Sequence, residues 1–229
     1  MRIPMILAAL SVVAFSDMAT ANPTPIDTDI SFDDTDNGHN LTAELIAQGH
    51  EIFPMTFSGD FGPNGETLSF NGTIQEVMEQ IRVVNPSYDF DAAAPGTGIQ
   101  ARGRGDWRKR DVRKKECNTG DWASGVFIAN DIRYLRNVPK DTCKLEAKGC
   151  ARVSCARNAA IFVCWEPFGD SPKTYEKSWD YVSDYAEGLA AGEWCPRYFV
   201  PQDPLTVFLV KGKAWDPKGM AVRIGRDQC

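Results

Sequence analysis

The sequence predicts an α+β fold over residues 111–229: a two-layer α/β sandwich with an antiparallel sheet and two helices on one face. The expected order is β-α-β-β-α-β, a split βαβ arrangement, stabilised by disulfides. Three observations carry this expectation. Two stretches repeat apolar residues at helical spacing. Four short strand-like stretches alternate with them in that order. All seven cysteines lie late in the chain, at 117, 143, 150, 155, 164, 195 and 229.

"VRKKECN" reads as the first short strand. In "DWASGVFIANDIRYLRNVP", Ile128, Ile132 and Leu135 form an i, i+4, i+7 stripe with Phe127 beside it. Asp121 is the candidate N-cap, and Pro139 ends the helix. "CARVSC" and "NAAIFVCWE" read as two strands around an "ARN" turn. "KSWDYVSDYAEGLAAGEW" is the second helix, with Trp179, Val182, Ala186 and Leu189 on one face. "MAVRIGRDQC" alternates as a last strand, and "YFVPQDPLTVFLV" reads as an added extended segment or hairpin.

The N-terminus points to a secretory route. "MRIPMILAALSVVAFSDMATA" has an early Arg, an apolar run from Ile3 to Phe15 and an Ala-Thr-Ala exit, the pattern of a signal peptide over 1–21 cut after Ala21. No later stretch reaches the ~20 apolar residues of a membrane span. Along that route disulfides are the default use of cysteine. The close spacings are C-x6-C, C-x4-C and C-x8-C rather than the C-x2-C of a zinc site, so no metal is expected.

Charge divides the chain. Residues 1–100 hold two basic and fourteen acidic side chains, and residues 111–229 hold eighteen and sixteen. The ten residues between carry five basic groups and one acid. Both histidines, His39 and His50, and both N-glycosylation sequons, at Asn40 and Asn71, fall in the acidic part. Residues 22–110 therefore read as a largely disordered acidic pro-segment. Its one short helix lies near 73–84, where Thr73 can cap and Ile74, Val77 and Ile81 recur at helical spacing. "DFDAAAPGTGIQARGRGD" reads as a flexible linker. It ends on Arg108, Lys109 and Arg110, which suit a kexin-type processing protease cutting after Lys-Arg. Cleavage there leaves a mature chain 111–229.

"DIRYLRNVP", "CARVSC", "AAIFVCW" and the terminal "AVRIGRDQC" resemble a family of small secreted ascomycete proteins, and "LSFNGTIQEVMEQIRVVNPSYDFD" is similar to their pro-segments. The architecture this resemblance implies is the killer-toxin-like α/β sandwich of smut-fungus killer toxins and several plant-pathogen effectors. It also implies that Cys117, Cys150, Cys155, Cys164, Cys195 and Cys229 form three bridges, leaving Cys143 as the odd cysteine in a polar connection. The chain departs from the pattern at Cys143, at the 196–210 insertion, and at Trp165-Glu166-Pro167.

The mature segment has no histidine, which excludes Ser-His, Cys-His and His-based ribonuclease sites. No phosphate loop is present, no cofactor is expected, and its excess of two basic groups is weak for nucleic acid. A carboxylate pair drawn from Asp121, Asp131, Glu166, Asp180 and Asp184 remains as a route to glycoside hydrolysis. Trp165, Trp179, Trp194, Trp215, Tyr134, Tyr181, Tyr185 and Phe199 are candidates for core or contact surface, with Tyr181 and Tyr185 placed on an outer helix face. The expected function is that of a secreted effector or killer-toxin-like protein, not an enzyme, binding an unknown host or competitor target such as a protein or cell-surface glycan. The alternatives are a secreted hydrolase with a carboxylate pair, or an extracellular inhibitor or carbohydrate-binding module.

Overall fold

The strand Ala159–Trp165 is buried at all seven of its positions, so both faces of its sheet are covered. A computed structural model describes residues 40–90, 106–138, 142–146, 149–169, 174–199 and 208–229. The expected signal peptide with its cut after Ala21, and most of the linker (91–105), lie outside the described residues. In chain order the elements begin with α1 (Leu41–Ala47), β1 (Glu51–Phe53), β2 (Thr56–Gly59), β3 (Leu68–Asn71) and α2 (Ile74–Val84). A 3₁₀ turn at Asp106–Lys109 leads to β4 (Lys114–Glu116), β5 (Ala123–Ser124), α3 (Gly125–Arg136), β6 (Thr142–Glu146), β7 (Gly149–Ala156) and β8 (Ala159–Trp165). Then come β9 (Thr174–Ser178), α4 (Trp179–Ala190), β10 (Tyr198–Phe199), β11 (Phe208–Val210), β12 (Gly212–Trp215) and β13 (Met220–Arg226).

The central sheet has six strands in the order β1-β7-β8-β13-β12-β4. Only β1 joins in parallel, at the edge of β7. β7 and β8 meet through Arg157 and Asn158, both at positive φ, as a two-residue hairpin turn whose twist matches the strands requires. Alternation then sorts the side chains. Ile161, Val163 and Trp165 of β8, with Val222 and Ile224 of β13, enter the larger core beneath α2, α3 and α4. Ala160, Phe162 and Cys164, with Ala221 and Trp215, face the other way, into a smaller cluster closed by Leu41 and Leu45 of α1. The disulfides are Cys117–Cys195, Cys150–Cys164 and Cys155–Cys229. Cys143 stands outside these bridges, buried on β6.

The fold is α+β, but the split layout is not what the strands adopt. In that layout the first and third predicted strands are neighbours. Here β4 lies at the sheet edge, and β12 separates it from β13. The cause is the β12–β13 hairpin, turned by Asp216-Pro217-Lys218-Gly219, with Asp216 Oδ1 accepting the N–H groups of Lys218, Gly219 and Met220. The α3 cap also differs. Ser124 precedes the helix, because Ala123 and Ser124 are drawn into pairing with β11.

A second difference concerns the N-terminal segment. It was expected to be disordered apart from one helix, yet Asn40–Phe90 is folded. The helix near 73–84 is present as α2, with Thr73 and Glu76 forming a capping box. Around it Met55, Phe57, Phe61, Ile74, Val77 and Ile81 belong to the same core as α3 and α4. Gly38–Cys229 accordingly form one compact unit. Composition misled because the acidic residues outnumber these anchors locally, while what orders the anchors lies far along the chain.

Candidate functional site

On the face of the sheet covered by α1, charged residues replace the apolar ones that alternation would favour. Ala221, Arg223 and Gly225 share that side of β13, and Lys213 and Trp215 share it on β12. Gly225 has a structural role here. A Cβ at this position would lie 3.1 Å from Leu41 Cδ1 and 3.0 Å from the Asp121 carbonyl oxygen, so its absence makes the hollow that receives Leu41.

The Arg223 guanidinium is 1 % exposed. Its Nη2 donates to Thr119 Oγ1 at 2.5 Å and pairs with the Glu44 carboxylate of α1. Its Nε and Nη1 are buried and have no hydrogen-bond partner among the described residues. Beside it, Lys213 Nζ lies 2.6 Å from Glu166 Oε1. Burial holds the Lys213 ammonium below its usual range, and Glu166 pulls it back. Trp215 Nε1 donates to Glu166 Oε2 at 2.7 Å, and His50 Nε2 from the turn after α1 lies 3.4 Å from Glu166 Oε1. At the far end of α1, the N–H and hydroxyl of Thr42 donate to the two oxygens of buried Asp227, each at 2.9 Å. Arg152 Nη1 reaches the same carboxylate at 2.9 Å. The segment 40–53 is therefore a strap. It adds β1 to the sheet edge, seats two leucines on the sheet, and meets Asp227 with Thr42, Arg223 with Glu44 and Glu166 with His50. The face beneath it suits recognition of a carboxylate framed by apolar surface.

The residues singled out in the sequence are dispersed. Arg108 pairs with Glu193 at 2.8 Å on the surface, and Lys109 is exposed. Arg110 is not on a free linker: its Nη2 lies 2.6 Å from Asp184 Oδ2, and its guanidinium stacks over Tyr181 at 4.5 Å. Just before it, Trp107 is buried edge-on against Trp194, 5.9 Å between centroids. Asn40 caps α1, accepting the Ala43 N–H at 3.3 Å, and Asn71 accepts from Thr56 Oγ1 at 2.7 Å on the exposed β2–β3 ribbon.

Each of the five carboxylate residues has its own surroundings. Asp131 takes Gln75 Nε2 at 2.8 Å, and Glu166 takes Lys213 and Trp215. Asp184 is buried between Arg110 and Arg136, not on a solvated face with the exposed Asp180. Asp121 gives its backbone oxygen to the Arg226 N–H. Among the described residues, no group of three or more His, Cys, Asp or Glu side chains could hold a metal ion, and no helix is long and apolar enough to cross a membrane.

Trp165 and Trp179 are core, stacked on Tyr175 and Phe57. Tyr185 is buried as well, donating to the Asp111 carbonyl at 2.6 Å, which corrects its expected outward placement. Tyr181 is partly buried and donates to Asp216 Oδ2 at 3.1 Å. Sequence reasoning missed Arg223, Lys213 and the strap. The available signal was a cation at an inward position of an otherwise apolar strand. Comparison with protein families, with curated proteins and with solved structures finds no match.

Proposed function

We propose that the chain is the precursor of a secreted binding protein, effector or killer-toxin-like in kind, that acts by engaging a partner rather than by turning over a substrate. The observation that carries this reading is the strap: a segment N-terminal to Lys109-Arg110 lies on a charged and apolar sheet face and satisfies it with its own Glu44 and Thr42. Three disulfides suit a secretory route. The resemblance to small secreted fungal proteins of the killer-toxin-like class is a further support, and the α+β class of the fold is compatible with it.

Processing after Arg110 is part of this proposal. The cut must take place in a segment docked on α4, so it depends on local opening of the 3₁₀ turn. Because Phe57 and Ile74 share a core with α3 and α4, cleavage alone leaves the two pieces together as a non-covalent pair. Mass spectrometry of culture filtrate should find a chain starting at Asp111, and native mass spectrometry should find it still bound to the acidic piece. Secreted protein that keeps an intact Arg110–Asp111 bond in a kexin-competent strain would overturn the processing step. Glycan and RNA panels incubated with the protein should yield no products. Turnover abolished by a single carboxylate substitution would favour a hydrolase instead.

A further inference from the structure

We propose that Arg223, with Lys213 beside it, is a carboxylate seat for an acidic amphipathic helix of a partner protein, held shut in this chain by Glu44. The proposal rests on the reading above that the protein acts by binding a partner.

A buried guanidinium is costly to desolvate, and an apolar residue in its place would serve folding as well or better. Arg223 retains that cost while two of its donor atoms, Nε and Nη1, go unused. A structural arginine would be expected to spend its donors on the fold. This one spends Nη2 on Thr119 and on a carboxylate supplied by the strap. The seat is framed by Phe162, Trp215 and Ala221, which share one buried cluster with Leu41 and Leu45 of the strap. Removing the strap leaves Arg223 and Lys213 with Glu166, and with Glu116 opposite Lys213, which is itself paired with Lys114; among these groups one positive charge is in excess, at the bottom of an apolar hollow. That combination selects an anion carried on an apolar segment over a free anion in solution.

The strap defines the complementary chemistry. Leu41 and Leu45 are four apart on one helix face, and Glu44 projects beside them. A partner helix with leucine-like residues at i and i+4 and a carboxylate at i+3 makes the same three contacts. The strap is short. It is seven residues of helix and three of strand, anchored by two leucines, Ile52 and its polar ends.

The test uses the full chain, so it does not depend on whether Arg110 is cut. In one variant, Leu41→Ala with Leu45→Ala loosens the strap. In a second, Thr42→Ala with Glu44→Gln releases its polar contacts to Asp227 and Arg223 and spares the leucines, which guards against misfolding of the first. Peptide mapping of the three bridges and thermal melts check folding. The probe is a fluorescein-labelled peptide of residues 40–53, read by anisotropy. It should bind a loosened chain at least about tenfold more tightly than wild type. The same peptide with Glu44→Gln should bind about tenfold more weakly, the loss expected for one charge-assisted hydrogen bond. Adding Arg223→Met to a loosened chain should abolish the preference between the two peptides while keeping the fold. Equal binding of the two peptides to a folded, loosened chain overturns the seat. So does displacement of the peptide by inorganic phosphate at micromolar concentration. A loosened chain that dimerises by exchanging straps overturns the partner helix in favour of a second copy. An uncut Arg110 in culture filtrate bears on processing alone and leaves these readouts unchanged.

Discussion

The ring of Phe57 lies flat on the indole of Trp179, with centroids 4.5 Å apart and planes 10° from parallel. The two residues stand on opposite sides of the proposed cut after Arg110. Their stacking places the core of the folded unit across that cut. Phe57→Ala should destabilise the whole chain by about 3–5 kcal/mol, since it leaves a cavity over a fully buried tryptophan. Thermal unfolding of wild type and variant, followed by Trp fluorescence, checks this. A single lowered transition is expected. Loss of the acidic segment alone, with the rest of the melt unmoved, would contradict a shared core.

Trp107 anchors the segment that carries the proposed cut after Arg110. It is buried edge-on against Trp194, while Arg110 is held by Asp184 and Tyr181. A processing protease needs the segment extended and out of this dock. Trp107→Ala removes the anchor without touching Arg108, Lys109 and Arg110. Cleavage by purified kexin-type protease should therefore speed up several-fold at a temperature well below the lowered melting transition, since the loss of a buried tryptophan also costs stability. An unchanged cleavage rate would show that the 3₁₀ turn already opens faster than the protease cuts.

Asp131 makes the fold pH-sensitive. Its carboxyl lies under α2, where burial pushes it up to about 7, against hydrogen bonds from Ser154 and Gln75 that pull it down. The folded state thus holds a proton that the unfolded chain releases near 4. Stability from this group is full below about pH 4, falls as pH rises through about 7, and is level above that. Asp131→Asn removes the titration. The variant should gain on wild type as pH rises from 5 to 8 in urea titrations. A constant difference across that range would show that Asp131 does not carry the proton.

Much of the sheet and its helices was legible because local pattern and tertiary role agree there. Ile128, Ile132 and Leu135 repeat at helical spacing and are buried. "AAIFVCW" is a continuous apolar run and is the strand covered on both faces. The topology was not legible, because β12 is only "GKAW". It owes its place to the Asp216 turn and to the edge of β13. The strap was hidden for a related reason. Leu41 and Glu44 look like part of a solvated acidic stretch until Gly225 and Arg223, some 180 residues later, supply the hollow and the charge. Cys143 shows the same limit. Its polar neighbours suggest a loop, but pairing of β6 with β9 carries it inward.

The disulfides differ in what they secure. Cys150 and Cys164 are directly opposite on β7 and β8, already joined by the ladder, and close a separation of 14 residues. Cys155–Cys229 closes 74 and ties down the chain end that carries Asp227. In the chain-entropy account the longer loop restricts the unfolded state more, by about 1.5 kcal/mol for these two separations. Its loss has a second effect as well. With residues 227–229 untethered, Asp227 no longer meets Arg152 and Thr42 in fixed geometry, so α1 loses one end of its seat. Cys155→Ala with Cys229→Ala should therefore lower the denaturation midpoint more than Cys150→Ala with Cys164→Ala. It should also raise amide exchange across 41–47. The measurements are urea midpoints and hydrogen exchange by mass spectrometry on both double variants. Equal exchange at 41–47 in the two variants would separate the strap from the C-terminal bridge.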